Sequence, residues 1–318
     1  MTTEFDLIAK FFTRAAPQTT LGIGDDAVLI TPGGGLELAV STDTLVEGTH
    51  FFPNANPEKL GWKALAVNIS DLAAMGADPR WATLALSLPE VNEAWLSAFS
   101  TGFFDCARRF GVDLIGGDTT RGPLSISVTI IGEVPRGQAL KRNAAQVNDD
   151  IWVSGPLGDA ALGLAVLQGQ VPETGLESCL AALHQPQPRV ELGMALRGSA
   201  HAAIDISDGL VADLGHILQR SKRGADIRLN DIPRSAGVSS VMKQGLGMHC
   251  MLAGGDDYEL CFTSPLRHFD RIVEIQNLLN LPLTRIGKIT SSTGLRLLDA
   301  YGKPVVFEES GYDHFSEK

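Results

Sequence analysis

Apolar runs in this chain stop, again and again, on the same chemistry. GIGDD (22–26), STDT (41–44), GGDTTRG (116–122), GPLGD (155–159), IDISDG (204–209) and GGDDYE (254–259) each end a strand-like stretch in glycine, small hydroxyls and aspartate. This recurrence restricts the fold, because β-branched runs must close on turns at a sheet edge while helices occupy the intervals. Any one cluster reads as a solvated turn, since Gly, Asp and Ser are ordinary turn formers. Their number points further. Short carboxylates and hydroxyls are hard oxygen ligands suited to Mg²⁺, and glycine lets backbone amides approach phosphate oxygens closely. Lys and Arg are nearly absent from the clusters, so a phosphate brought there requires cations to offset its charge.

The spacing predicts an opening helix over 3–12, strands at AVLI (27–30) and LELAVST (36–42), and a helix over 57–76. On that helix Ala64, Asn68, Asp71 and Met75 share a face, which makes Asp71 a carboxylate on a largely apolar helix. WATLALSL, VDLI and SISVTIIGEV read as strands around a helix over 92–111. A polar stretch, 136–150, precedes a fresh start at IWVSGPLGD, and the domain boundary is placed there, giving domains of residues 1–140 and 141–318. The second half alternates strands (IWVS, AAIDIS, ADIRL, YELCF, TRIGKI) with helices near 160–168, 187–197, 208–221 and 265–279.

At 318 residues, 44% hydrophobic and 20% charged, the composition is that of a globular chain with room for two domains. The formal net charge of −11 argues against a nucleic-acid partner. No apolar run is long enough for a bilayer span, and MTTEFDLIAKFF carries acids where a secretory signal has basic residues, so the chain is expected to be cytoplasmic with no membrane partner. Cys106, Cys179, Cys250 and Cys261 show no paired spacing and read as buried thiols.

Neither a P-loop nor a protein-kinase motif set is present. Gly22-Ile-Gly24-Asp-Asp-Ala27 matches a relaxed dinucleotide fingerprint, but no buried strand precedes it and no helix follows. In IDISDGLVADL, Asp205 closes a strand and Ser207 or Asp208 is expected to cap the next helix, whose N-terminus is also a ready anion site. His50, close behind one acidic cluster, and Arg142, at the domain junction, are either surface residues or ligand contacts.

GIGDDAVL, STDTLVEGTHF, KALAVNISDLAAMGADP, LIGGDTTRG, IDISDGL, GGDDYELCF and the terminal GYDHF, in this order along the whole chain, resemble the thiamine-monophosphate kinase family of the aminoimidazole-ribonucleotide-synthetase-like superfamily. The resemblance implies an α+β fold of two domains: an N-terminal mixed α/β domain whose sheet pairs across a homodimer into a barrel, and a C-terminal α/β sandwich domain. It implies ATP-dependent phosphorylation of thiamine monophosphate with several Mg²⁺ ions. Carried onto matching positions, Asp26, Ser41, Thr42, Asp43, Asp71, Asp118, Asp205 and Asp208 resemble the magnesium ligands. Gly117, Arg142 and Ser207 look like ATP contacts, and His50, Asp256 and Tyr312 correspond to the substrate side.

One position departs from the family pattern Gly-Gly-Glu-Asp-Tyr-Glu, because Asp256 stands where the glutamate is usual. Losing a methylene shortens the reach by about 1.5 Å, which converts a direct hydrogen bond into a water-mediated one. An acceptor that is already a phosphate monoester is largely ionised at neutral pH, so the reaction needs no general base, in keeping with clusters of Asp, Ser, Thr and Gly. Two rival readings are another ATP-using synthetase of the superfamily, selenophosphate or aminoimidazole-ribonucleotide, and a metal- and nucleotide-binding sensor without turnover. Selenophosphate synthetases carry a reactive residue near the N-terminus, whereas the first cysteine here is Cys106.

Overall fold

The computed structural model describes residues 7–19 and 30–307. These fall into two compact units, the first reaching to residue 72 and resuming over 77–137, the second comprising 73–76 and residues from 138 onward.

In the first unit, β1 (Leu36–Val46), β2 (Asp78–Leu88), β3 (Asp113–Arg121) and β4 (Ser125–Pro135) form one sheet in the order β1-β4-β2-β3. Only β2 and β3 run parallel, because helix α2 (Glu93–Phe110) makes the crossover between them. Asn92 caps α2 by accepting the Trp95 amide at 3.0 Å, and Gly111 closes it in the left-handed conformation. Helix α1 (Pro57–Ala74) meets α2 where Gly61 and Gly102 bring the backbones together; a Cβ at Gly102 would lie 1.8 Å from the Glu58 carbonyl oxygen. Along β4, Ile126, Val128, Ile130 and Val134 are buried, while Ser125, Ser127, Thr129 and Ile131 alternate with them on the more open face. Of the expected opening helix, 7–12 is described: the Thr13 amide reaches back five residues to the Ile8 carbonyl at 2.9 Å, a wide turn that buries Phe11 and Phe12. The expected strand AVLI lies, except for Ile30, outside the described residues.

The second unit is a seven-stranded sheet in the order β11-β10-β7-β9-β5-β8-β6, with β5 Asp150–Ser154, β6 Ala202–Asp205, β7 Gly224–Arg228, β8 Leu260–Ser264, β9 Leu283–Thr290, β10 Gly294–Leu298 and β11 Pro304–Val305. Its helices are α3 (Asp159–Leu167), α4 (Glu177–His184), α5 (Val190–Ala195), α6 (Leu210–Ser221), α7 (Ala236–Ser240), α8 (Leu246–Ala253) and α9 (Phe269–Leu279). A continuous apolar core runs from Ile151 and Val153 through Ile204, Leu214 and Ile217 to Ile286 and Ile289.

Several elements differ from the sequence reading. Strands β10 and β11 and helices α4, α7 and α8 are too short to show a period, and they form because the sheet and its core supply their partners. Asp43 and Thr44, expected beyond the end of the strand over 36–42, and GGDTTR, expected as a strand-ending turn, lie inside β1 and β3. Ladder pairing to β4 and β2 there overrides the low strand propensity of Gly and Asp.

Candidate active site

In the first unit the strand-borne residues of STDT are sorted by the two-residue repeat. Ser41 turns toward α1 and donates its hydroxyl to the Asp71 carboxylate at 2.5 Å. One residue on, Thr42 lies on the opposite face and shares a 2.8 Å hydroxyl contact with Thr129. The Asp43 amide donates to the Asn68 side-chain oxygen at 3.0 Å, and Asn68, 1% exposed, donates in turn to the Ala64 carbonyl at 3.0 Å. Asp71 and Asn68, one turn apart, therefore fix the strand from the helix side at two successive points. His50 sits in the tight turn after β1, where its Nδ1 accepts the Val46 amide at 3.0 Å. In the neutral ring that contact places the proton on Nε2 and makes that atom a donor.

Gly117 and Asp118 lie in β3, the edge strand opposite β1. Gly117 has φ +153°, and a Cβ there would lie 1.9 Å from the Leu84 carbonyl oxygen, so close strand approach alone requires glycine. Asp118 pairs with Ala85, on the same face as Thr42 and not that of Ser41 and Asp43. Three strand spacings separate β3 from β1, about 14 Å along the sheet. Within one protomer Asp118 is thus not gathered with Ser41, Asp43 and Asp71.

In the second unit two loops interlock. The amides of Asp256 and Tyr258 donate to the carbonyls of Ser207 and Ile206, each at 2.8 Å, so the expected substrate contact and an expected ATP contact are backbone neighbours. Asp256 and Tyr258 hold φ +62° and +51°, strained values for residues with side chains, and the Tyr258 hydroxyl donates to Asp256 at 3.0 Å. Gly255 permits the approach, since a Cβ there would lie 2.3 Å from the Ser207 oxygen. Beneath these loops Glu259 accepts a bidentate contact from Arg189 and the Ser154 hydroxyl at 2.5 Å. Asp257 accepts the Gly158 amide with both oxygens, at 3.0 and 2.9 Å. Burial, opposed by that amide and reinforced by Glu259, Asp159 and Asp256, pushes the Asp257 carboxyl well above its ordinary range.

The expected cap of α6 is corrected. Neither Ser207 nor Asp208 caps it; Gly209 is the capping residue and contributes no side chain. The carboxylate of Asp213, in the first turn, instead accepts the amides of Ser207, Asp208 and Gly209. Burial, together with the charges of Asp205 and Asp208, pushes the Asp213 carboxyl up to about 8 against the pull of those amides. Asp205, 3% exposed, ends β6 beside this turn. Arg142 lies at the other end of α6, where its carbonyl accepts the Ser221 hydroxyl at 3.0 Å. Twelve helical residues separate the two ends, about 18 Å. Asp26 and Tyr312 lie outside the described residues.

Among the described residues no three carboxylate, imidazole or thiol groups converge on a common metal position. Mg²⁺ does not demand such a cage, because it keeps waters and takes one or two carboxylates plus substrate phosphates. The oxygen donors of Ser41, Asp43 and Asp71, and of Asp205 and Asp208, fit that mode. Sequence reading missed Asn68, Asp213, Tyr258, Asp257, Glu259 and Arg189 as builders of the site. Asn68 was visible on the Asp71 stripe and Asp213 within IDISDGLVADL, but their hydrogen bonds were not. The four cysteines are buried free thiols; burial raises all of them, Cys179 and Cys250 to about 12.

Residues 24–134 match the family described as AIR synthase related protein, N-terminal domain. The chain is 47% identical over 320 residues to a thiamine-monophosphate kinase of Salmonella typhimurium, covering 98% of each chain. Among solved structures, thiamine-monophosphate kinase from Stenotrophomonas maltophilia K279a aligns with a TM-score of 0.85 and 48% identity over 94% of this chain and 95% of that one. AaThiL complexed with AMPPCP and TMP aligns with a TM-score of 0.79 and 32% identity over 90% of this chain and 89% of that one.

Proposed function

The chain belongs to the thiamine-monophosphate kinase family, and we infer that it transfers the terminal phosphoryl group of ATP to thiamine monophosphate, giving thiamine diphosphate. The observation that carries this is likeness over nearly the full length to a protein solved with AMPPCP and TMP bound, so that one architecture holds a nucleotide and a phosphate monoester together. No side chain need remove a proton from the acceptor, which is already ionised, and the work falls on alignment and charge.

Ser41, Asp43 and Asp71 in the first unit, Asp205 and Asp208 in the second, and Thr42, Asp118 and Asp26 with them, are the residues that would hold Mg²⁺. Bound there, Mg²⁺ supplies charge neutralisation between two anionic substrates and a template for in-line attack. Asn68 holds the Asp43 backbone so that β1 presents its carboxylate at one register. Gly117, Arg142 and Ser207 serve the nucleotide. His50, through its Nε2 donor, and Asp256, pinned by Tyr258, serve the acceptor together with Tyr312. Transfer is direct, and a stable ³²P-labelled protein after incubation with ATP alone would contradict it. Coupled ADP release with thiamine monophosphate and Mg²⁺ tests the assignment; ADP formed only with other acceptors overturns it.

The first unit, residues 1–140 in this reading, serves metal and ATP binding and dimerisation, and residues 141–318 form the C-terminal domain. Leu38, Val40 and Val46 on the outward face of β1 are 41%, 60% and 37% exposed, a row of apolar side chains that a second copy would cover if the sheets paired into a barrel. Such pairing is also the route by which Asp118 of one protomer would approach Thr42 of another, since both stand on that outward face. Replacing Val40 with Glu is expected to weaken self-association about 30-fold, read by sedimentation; an unchanged distribution removes this face from the interface. No helix among the described residues is long and apolar enough to cross a membrane, and four unpaired buried thiols suit a reducing cytoplasm.

A further inference from the structure

The loop over 254–259 passes through left-handed backbone at residues that carry side chains. Asp256 has φ +62° and Tyr258 φ +51°, following Gly255 at +68°. Glycine visits this region freely and aspartate tolerates it, but for a bulky tyrosine it is an outlier. Three anchors hold the loop there. The Asp256 and Tyr258 amides donate to the Ser207 and Ile206 carbonyls, each at 2.8 Å, and the Asp257 carboxylate accepts the Gly158 amide with both oxygens. What this backbone achieves is one pairing: the Tyr258 hydroxyl donates to Oδ1 of Asp256 at 3.0 Å, from a side chain 8% exposed onto a half-buried acid two residues away. A buried tyrosine hydroxyl needs some partner, which accounts for a hydrogen bond. It does not account for the outlying backbone that makes the partner this acid. Such strain persists only where surrounding contacts over-determine it, and it collects where ligands are held. An aspartate carboxylate left to itself turns about two bonds, whereas a donor on a packed ring, fixed to one oxygen, sets the plane in which the group accepts.

We propose that Tyr258 is a positioning residue for acceptor recognition, aiming the Asp256 carboxylate at the aminopyrimidine end of thiamine monophosphate so that the site chooses an amino group over a carbonyl there. An ionised carboxylate only accepts hydrogen bonds. The N–H donors of that acceptor are on the amino group of its pyrimidine ring, and its phosphate is an anion that a carboxylate repels. Orientation by Tyr258 also offsets the reach that Asp256 gives up to a glutamate. The inference rests on the kinase reading and on Asp256 serving the acceptor; it adds which part of the acceptor is read and what aims the reading group.

Coupled ADP release by the full-length protein tests the proposal, with thiamine monophosphate and with oxythiamine monophosphate, in which a carbonyl replaces that amino group. The wild type is expected to favour the amino compound about 100-fold in kcat/KM. Tyr258→Phe keeps the ring and removes the donor, and its preference is expected to fall to about 10-fold. In that variant the KM for thiamine monophosphate is expected to rise about 10-fold, while kcat and the KM for MgATP each move less than about twofold. In an Asp256→Ala background the same Tyr258→Phe change is expected to move the acceptor KM by less than about twofold, because a residue that acts through another has no effect once the other is gone. An equal loss in both backgrounds, a rise in both KM values together, or a wild type indifferent to the two acceptors overturns the proposal. Calorimetric titration with thiamine monophosphate separates it from the function. Binding that weakens about 10-fold in Tyr258→Phe, with no ADP released by the wild type, keeps this inference and loses the kinase. ADP release with the acceptor KM unmoved in Tyr258→Phe keeps the kinase and loses this inference.

Discussion

In the first unit Asp71 stands on a helix and takes a strand hydroxyl, leaving an oxygen-rich pair whose neighbours are Asn68 and the β1 backbone. In the second unit the corresponding acids are held from below: Asp213 by three amides, Asp257 by the Gly158 amide, Glu259 by Arg189 and Ser154. The first arrangement can lose a carboxylate without losing its scaffold, because strand pairing and helix packing carry the structure. The second cannot, since its buried acids are themselves the joints between loops. One centre separates binding from stability, and the other fuses them.

The strongest break of this contrast is at Arg189, whose removal leaves Glu259 buried without its counter-charge, held by the Ser154 hydroxyl. Arg189→Ala is expected to destabilise the protein by about 3–5 kcal/mol, measured by urea unfolding; a loss as small as that of an exposed residue would show that the lower network is not a joint. Asp71→Asn makes the opposite prediction. Activity at fixed low Mg²⁺ should fall about 100-fold and be recovered in part by more Mg²⁺, while the unfolding midpoint stays in place. An unchanged Mg²⁺ titration would remove Asp71 from the metal site. The smallest effect concerns pH. Burial keeps the folded Asp257 protonated above the pH at which the unfolded chain has released that proton, so stability falls as pH rises from the ordinary carboxylate range toward the raised value. Asp257→Asn should flatten that fall, read from urea midpoints at about pH 5 and pH 8; a slope identical to wild type would mean that Asp257 is ionised in the folded state.

Much of the first unit was legible. α1, α2 and β4 follow clear periods, with Asn92 and Gly111 marking the ends of α2 as their capping chemistry requires. Asp71 was legible too, because a carboxylate on an apolar stripe has no explanation in helix propensity. What escaped were elements and contacts without a local signal. β10 and β11 are short and exist through pairing with β7 and with each other, and β1 reads as ending at Thr42 until β4 pairs with it as far as Val46. The cap of α6 was misplaced for the same reason: Ser207 and Asp208 have the right chemistry at the right distance, yet Asp213 reaches the same amides from inside the helix and outcompetes them.

By itself the sequence determined which residue types stand at the strand ends, and through them the expectation of hard-oxygen chemistry, and the α/β alternation of both halves. Residue identity and period are local properties, and those conclusions need nothing else. Only the tertiary structure decided which of those groups face one another. A one-residue step along β1 sends Ser41 to the helix and Thr42 to the open face, three strand spacings carry Asp118 to the far edge, and a buried carboxylate claims the amides that a helix N-terminus would otherwise offer. Register, strand order and burial are set by the packing of distant segments, and no pattern within a few residues encodes them.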